Sequence, residues 1–170
     1  YELLAQAPDE DLVKQIQYYI NSYDGVLGMH DLMIHDYGAH RTFASVHVEV
    51  DYKEDVLKSH DMIDNIERDF QENMGLEMVI HMDPIQDRDE ETVKIHDEVL
   101  QLIHQINPVI TMHDFRMVKG NTHTNLIFDV VVPVDYPTPP KVLTKQIELM
   151  VQEQHSDFYT VITVDRDYAR

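Results

Sequence analysis

The chain has 170 residues, 43% of them apolar, which is enough for one ordinary domain or two small ones with real cores. Its formal net charge of −19 argues against nucleic acid or an anionic lipid surface as a partner and favours cations. There is no cysteine, no apolar run long enough to span a bilayer and no signal-peptide pattern, so disulfide frameworks, thiolate zinc sites and a membrane-spanning helix are excluded for these residues.

In chain order, Tyr1 to Ala7 looks like the tail of something upstream. From Asp9 to Ser22, residues Leu12, Val13, Ile16, Tyr19 and Ile20 form a helical stripe, with Pro8-Asp9 as its start signal and Gly25 ending it. A strand is predicted over Val26 to His35, then a hairpin turn at Tyr37-Gly38-Ala39-His40, then a strand over Thr42 to Asp51. Asp55 to Met74 reads as a second helix, with Val56, Leu57, Ile63, Ile66 and Phe70 facing inward. Gly75 suits its C-terminus, and a third strand runs from Leu76 to Asp83. The order is α-β-β-α-β.

Pro84 to Glu90 is a short acidic linker, after which the order repeats. Glu91 to Ile106 is helical, strands follow near Val109 to Lys119 and Thr124 to Val134, a helix lies within Pro137 to His155, and the last strand is Phe158 to Asp165. The repeat is also written in the residues. Met29-His30-Asp31-Leu32-Met33 recurs as Met112-His113-Asp114-Phe115-Arg116, and Val79-Ile80-His81-Met82-Asp83 as Val161-Ile162-Thr163-Val164-Asp165, at offsets near 83. Val46-His47-Val48-Glu49-Val50-Asp51-Tyr52 is matched to Val130-Val131-Val132-Pro133-Val134-Asp135-Tyr136. Two domains follow, over 8–85 and 90–168.

The chemistry lies in strand parity. Side chains alternate between the faces of a strand. Val46, Val48 and Val50 face a core with Met78, Ile80 and Met82, so His47, His81 and Asp83 point to the opposite, open face. If the strands are neighbours, two imidazoles and a carboxylate meet there, a donor set suited to Zn²⁺ or a similar divalent ion. The plain alternative is a solvated polar sheet face. Parity alone does not account for His30, which shares its side with Leu32 and Ile34 unless a bulge intervenes.

Together Asp24-Gly25-Val26, His30-Asp31-Leu32, Ser45-Val46-His47-Val48-Glu49-Val50, His60 and Ile80-His81-Met82-Asp83-Pro84 resemble the C-terminal cytoplasmic domain of cation diffusion facilitator transporters. The resemblance covers roughly residues 9 to 85. It implies an α+β fold of two tandem ferredoxin-like, metallochaperone-like α-β-β-α-β domains. It further implies a cytoplasmic region that dimerises, binds metal and follows a membrane domain exchanging Zn²⁺ or related ions for protons. Carried over residue by residue, it implies metal ligation by His30, His47, His60, His81 and Asp83. Zn²⁺ is the default ion, with Mn²⁺, Fe²⁺, Co²⁺ and Cd²⁺ open because geometry and availability decide selectivity.

The second copy departs from this pattern. His47 is matched to Val131, His60 falls near Gln146, and His81 becomes Thr163, leaving His113 and Asp165 and a degenerate site. Its outward face carries Val131, Pro133, Tyr159 and Val161, an apolar surface expected to pack against another domain. His35, His40, His96, His104, His123 and His155 are assigned no role, and Met62, Met74, Met78, Met82 and Met150 fit core spacing. No nucleophile elbow, phosphate loop or His-Glu-x-x-His helix is present, so an enzyme is not expected. Two other readings stay open: a metal-independent dimerisation scaffold and a small-molecule sensor.

Overall fold

The computed structural model describes residues 9–38 and 41–167; Tyr1 to Ala7, with Pro8, and the Ala39-His40 half of the hairpin turn lie outside them. The element order is α1 (Glu10–Ser22), β1 (Gly28–Asp36), β2 (Thr42–Asp51), α2 (Val56–Met74), β3 (Glu77–Ile85), α3 (Glu90–Ile106), β4 (Thr111–Lys119), β5 (Thr124–Pro133), α4 (Pro140–Gln154) and β6 (Phe158–Asp167). The chain divides after Pro84 into two compact units. Each is an α-β-β-α-β ferredoxin-like unit with a three-stranded sheet, ordered β1-β2-β3 in the first and β4-β5-β6 in the second. No helix among the described residues is long and apolar enough to cross a membrane.

The helices start where side chains satisfy their free amides. Asp9 accepts from the Asp11 amide at 2.9 Å, and Asp55 accepts from Leu57 and Lys58 at 2.8 and 3.2 Å. α2 stops at Gly75, whose left-handed φ of 59° lets the Gly75 and Leu76 amides bond back to the carbonyls of Gln71 and Phe70. α4 begins with Pro140 in its first turn, where a missing N–H costs nothing.

Each unit buries one helix stripe against one sheet face. In the first, Ile16 and Ile20 of α1 and Ile63, Ile66 and Phe70 of α2 pack with Val46, Val48 and Met78. In the second, Ile95, Val99 and Ile103 of α3 and Leu143, Ile147 and Val151 of α4 pack with Leu126, Phe128, Val130 and Val132. Val56 and Leu57, expected inward, are instead 63% and 77% exposed. They occupy the first turn of α2, and the side chain that turn buries is Ser59. The helical stripe therefore begins a turn later than its apolar residues suggest.

One irregularity decides what the first sheet can do. β1 and β2 are antiparallel, and His30 lies opposite His47 while Met33 lies opposite Ser45, so Asp31 and Leu32 face a single residue of β2. This is a bulge. Asp31 takes a left-handed φ of 52°, which a short acidic side chain tolerates better than most. The extra residue reverses parity along β1: Leu32 and Ile34 pack against the core, and His30 joins His47 on the other face. The second unit repeats the device at Asp114, with φ 56° and the register shift between His113 and Arg116.

Asp31 is exposed, so replacing it tests the backbone alone. Asp31→Val places a branched side chain at this positive φ and is expected to cost about 1–2 kcal/mol relative to Asp31→Gly in urea denaturation. Equal stability of the two variants would mean that the bulge does not persist in solution.

Candidate metal centre

The bulge, β2 and β3 bring four predicted residues together. Asp83 of β3 is 6% exposed and stands at the centre. His30 Nε2 lies 3.1 Å from its Oδ2, His47 Nδ1 lies 3.0 Å from the same oxygen, and His81 Nε2 lies 3.1 Å from Oδ1. The His30 and His47 rings stack with centroids 4.8 Å apart, and His47 and His81 follow at 4.6 Å. Burial grades outward: the side chains of His30, His47 and His81 are 10%, 36% and 67% exposed. One donor atom from each of His30, His47 and Asp83 lies within 4.8 Å of the others, a grouping that could hold a metal ion. His60 is exposed on α2 and stands outside this grouping.

Glu49, a residue that the strand reading did not single out, completes the cluster. It is 3% exposed, and its Oε2 lies 3.0 Å from His30 Nδ1. Parity was the available signal, because Glu49 shares the face of His47 two residues earlier. His30 thus has a carboxylate at each ring nitrogen. Carboxylates accept and do not donate, so both ring nitrogens donate and the ring is held as imidazolium. Burial pulls the His30 pKa down, but hydrogen bonds to Asp83 and Glu49 and their charges outweigh it, and the ring is pushed up to about 9. For Asp83 burial raises the pKa, while hydrogen bonds from His30 and His47 lower it further, so the net shift is downward.

The second unit shows which part of the cluster the repeat retains. His113 pairs with Asp129, as His30 pairs with His47, and Val131 lies opposite Thr111, as Glu49 lies opposite Gly28. The counterpart of His47 is therefore Asp129, not Val131: both hairpins carry the same bulge, but Lys119 pairs with Thr124 where Asp36 pairs with Thr42, so the second turn is shorter by one residue and the motif match at Val131 lies two residues too far on. Val131 replaces Glu49, and Thr163 replaces His81. His113 Nε2 turns to Thr111 Oγ1 at 3.0 Å. Burial and the charge of Asp114 raise the Asp129 pKa, against the opposing charge of Arg116. Among the described residues, His113, Asp129 and Asp165 form no grouping like that of the first unit. Val131, Pro133 and Val161 are half-buried, and Tyr159 is 50% exposed.

Residues 8–85, which span the first unit, match the family of cation efflux protein cytoplasmic domains. Two solved structures of the zinc transporter CzrB are similar to part of the chain. One has 25% identity and a TM-score of 0.42 and covers 46% of this chain and 98% of its own. The other, a Zn form, has 24% identity and a TM-score of 0.41 and covers 51% of this chain and 100% of its own. No curated protein matches the chain.

The two shifts fix how the metal-free cluster contributes to stability. The His30 pKa is raised on folding from its ordinary 6.5, so its contribution is full below that value and is lost as pH rises through about 9. Asp83 is lowered on folding from 3.8, so its contribution is full above that value and is lost as pH falls through its depressed pKa. Thermal melts of metal-free protein should therefore fall between pH 7 and pH 9.5 relative to a His30→Ala variant, a window set by the His30 shift. Parallel curves for parent and variant across that window would contradict the placement of His30 between two carboxylates.

Proposed function

We propose that the chain is the metal-responsive regulatory region of a divalent-cation efflux transporter, with its metal site in the first domain, over 8–85. The domain over 90–168 is read as a degenerate copy that has given up the site. The observation that carries this is the convergence of three imidazole nitrogens on the Asp83 carboxylate, two of them on one oxygen. The donor chemistry fits a borderline divalent ion: neutral imidazole and carboxylate, without thiolate. His30, His47 and Asp83 would hold it, with His81 beside them. His60 is proposed as a further ligand that reaches the ion only through rearrangement or from a second copy of the chain, since its exposed position on α2 lies outside the grouping.

A bound ion would supply positive charge to a face that holds two buried carboxylates. The protein's own part is to keep those carboxylates in place without it. His30, held as imidazolium between them, does this, and it must give up a proton before it can donate to metal. Affinity should therefore climb with pH up to about 9 rather than level off above the ordinary imidazole range, because His30 titrates there. Zn²⁺ is the proposed ion, and Mn²⁺, Fe²⁺, Co²⁺ and Cd²⁺ are the alternatives.

In the proposed regulation the region dimerises, and ion binding changes the geometry between subunits and thus acts on the transporter's membrane domain. Such coupling requires different affinity in two states. No catalytic role is proposed. His47→Ala with His81→Ala is expected to abolish any metal-dependent closure seen by scattering or by label-to-label distances. Closure that persists in this variant would sink the mechanism.

The direct test is a thermal melt of metal-stripped protein with and without Zn²⁺, alongside His47→Ala with Asp83→Ala. Zn²⁺ at about 100 times its dissociation constant should add about 2.7 kcal/mol to the parent. The variant should gain nothing. Absence of a shift in the parent would favour the metal-independent dimerisation scaffold.

A further inference from the structure

Glu49 is a buried carboxylate that no metal reading of the sequence requires. At 3% exposure it carries a desolvation cost that must be offset by a specific partner. Its Oε2 is 3.0 Å from His30 Nδ1, on the opposite side of the ring from Asp83. Gly28 lies opposite Glu49, and a Cβ built there would meet that same oxygen at 3.4 Å, an ordinary van der Waals contact. The second unit supplies an internal comparison. Where the cluster is lost, both members of this cross-strand pair have changed together, Gly28 to Thr111 and Glu49 to Val131.

We propose that Glu49 is a positioning residue of the metal centre: its carboxylate accepts from His30 Nδ1–H, fixes the ring and its tautomer, and leaves Nε2 as the donor to the ion. The inference rests on the proposed metal site, and it assigns His30 a single donor atom. Carboxylates and carbonyls that hold the second nitrogen of a ligating histidine set its orientation and basicity. Glu49 satisfies that description for the most buried imidazole of the cluster, whereas among the described residues His47 and His81 pair with the Asp83 carboxylate.

The test uses Co²⁺ as the probe ion on the full chain. Glu49→Leu should weaken Co²⁺ binding by about 10–100-fold. Glu49→Gln, which keeps an acceptor oxygen at nearly the same place, should recover part of that loss. In a His30→Ala background, Glu49→Leu should leave affinity where His30→Ala alone puts it, because the proposed positioning passes through that ring. Equal weakening with and without His30, or parent affinity in Glu49→Leu, would overturn the assignment.

Imidazole ¹⁵N shifts give a readout independent of metal. At a pH where the His30 ring is neutral, the metal-free parent should carry its proton on Nδ1, and Glu49→Leu should lose that bias. If the parent binds no Co²⁺, the metal reading fails, and these shifts still decide whether Glu49 sets the ring. An unchanged tautomer in Glu49→Leu would overturn the inference in either case.

Discussion

One extra residue in β1 is the constraint on which the site depends. In a regular strand, His30 would lie on the same side as Leu32 and Ile34 and be driven into the core. The bulge at Asp31 breaks that parity, so the apolar residues beyond it stay inside and His30 comes out beside His47. The side chains that gain from this are expensive to bury. Asp83 and Glu49 are 6% and 3% exposed, and both pair with the His30 ring. The protonated His30 imidazole placed between them provides positive charge to both. The backbone irregularity and the buried electrostatics are thus one arrangement: without the bulge the two carboxylates would lose the imidazolium they share.

The same bulge in the second unit separates scaffold from site. Asp114 takes the same left-handed conformation, and the hairpin keeps its register shift. The backbone feature therefore survives although the chemistry around it has changed. Asp129 stands where an imidazole would be, and with Asp114 and Asp165 nearby it feels repulsion where His47 feels attraction. A His-to-Asp exchange at that position removes a proton carrier and adds a negative charge, which works against the pre-balanced cluster of the first unit. The second unit is thus a conserved frame within one chain from which the balance has been withdrawn.

The order of elements was legible in the sequence because each helix has a clean apolar stripe and each inner strand a clean alternation. Helix 56–74 shows the limit of that reasoning: Val56 and Leu57 continue the apolar count but lie in an exposed first turn. Composition does not report where a helix first meets its sheet. His47, His81 and Asp83 were legible from parity alone, since β2 and β3 are neighbours in the sheet. His30 was placed by family resemblance, because a bulge leaves no trace in an alternation pattern beyond an acidic residue at the point of change.

Glu49 was invisible for a different reason. Its position on the open face was readable, but a glutamate there looks like a solvated surface residue in a chain of net charge −19. What distinguishes it is its partner across the ladder, Gly28, which has no side chain of its own beside the carboxylate. A carboxylate opposite a glycine, two residues from a histidine that pairs with another histidine, is a pattern in two strands taken together. Neither strand carries it alone, and it emerges only once the register is known. The general consequence is that the groups holding a ligating imidazole are encoded across strand pairs, whereas the imidazoles themselves are encoded along them.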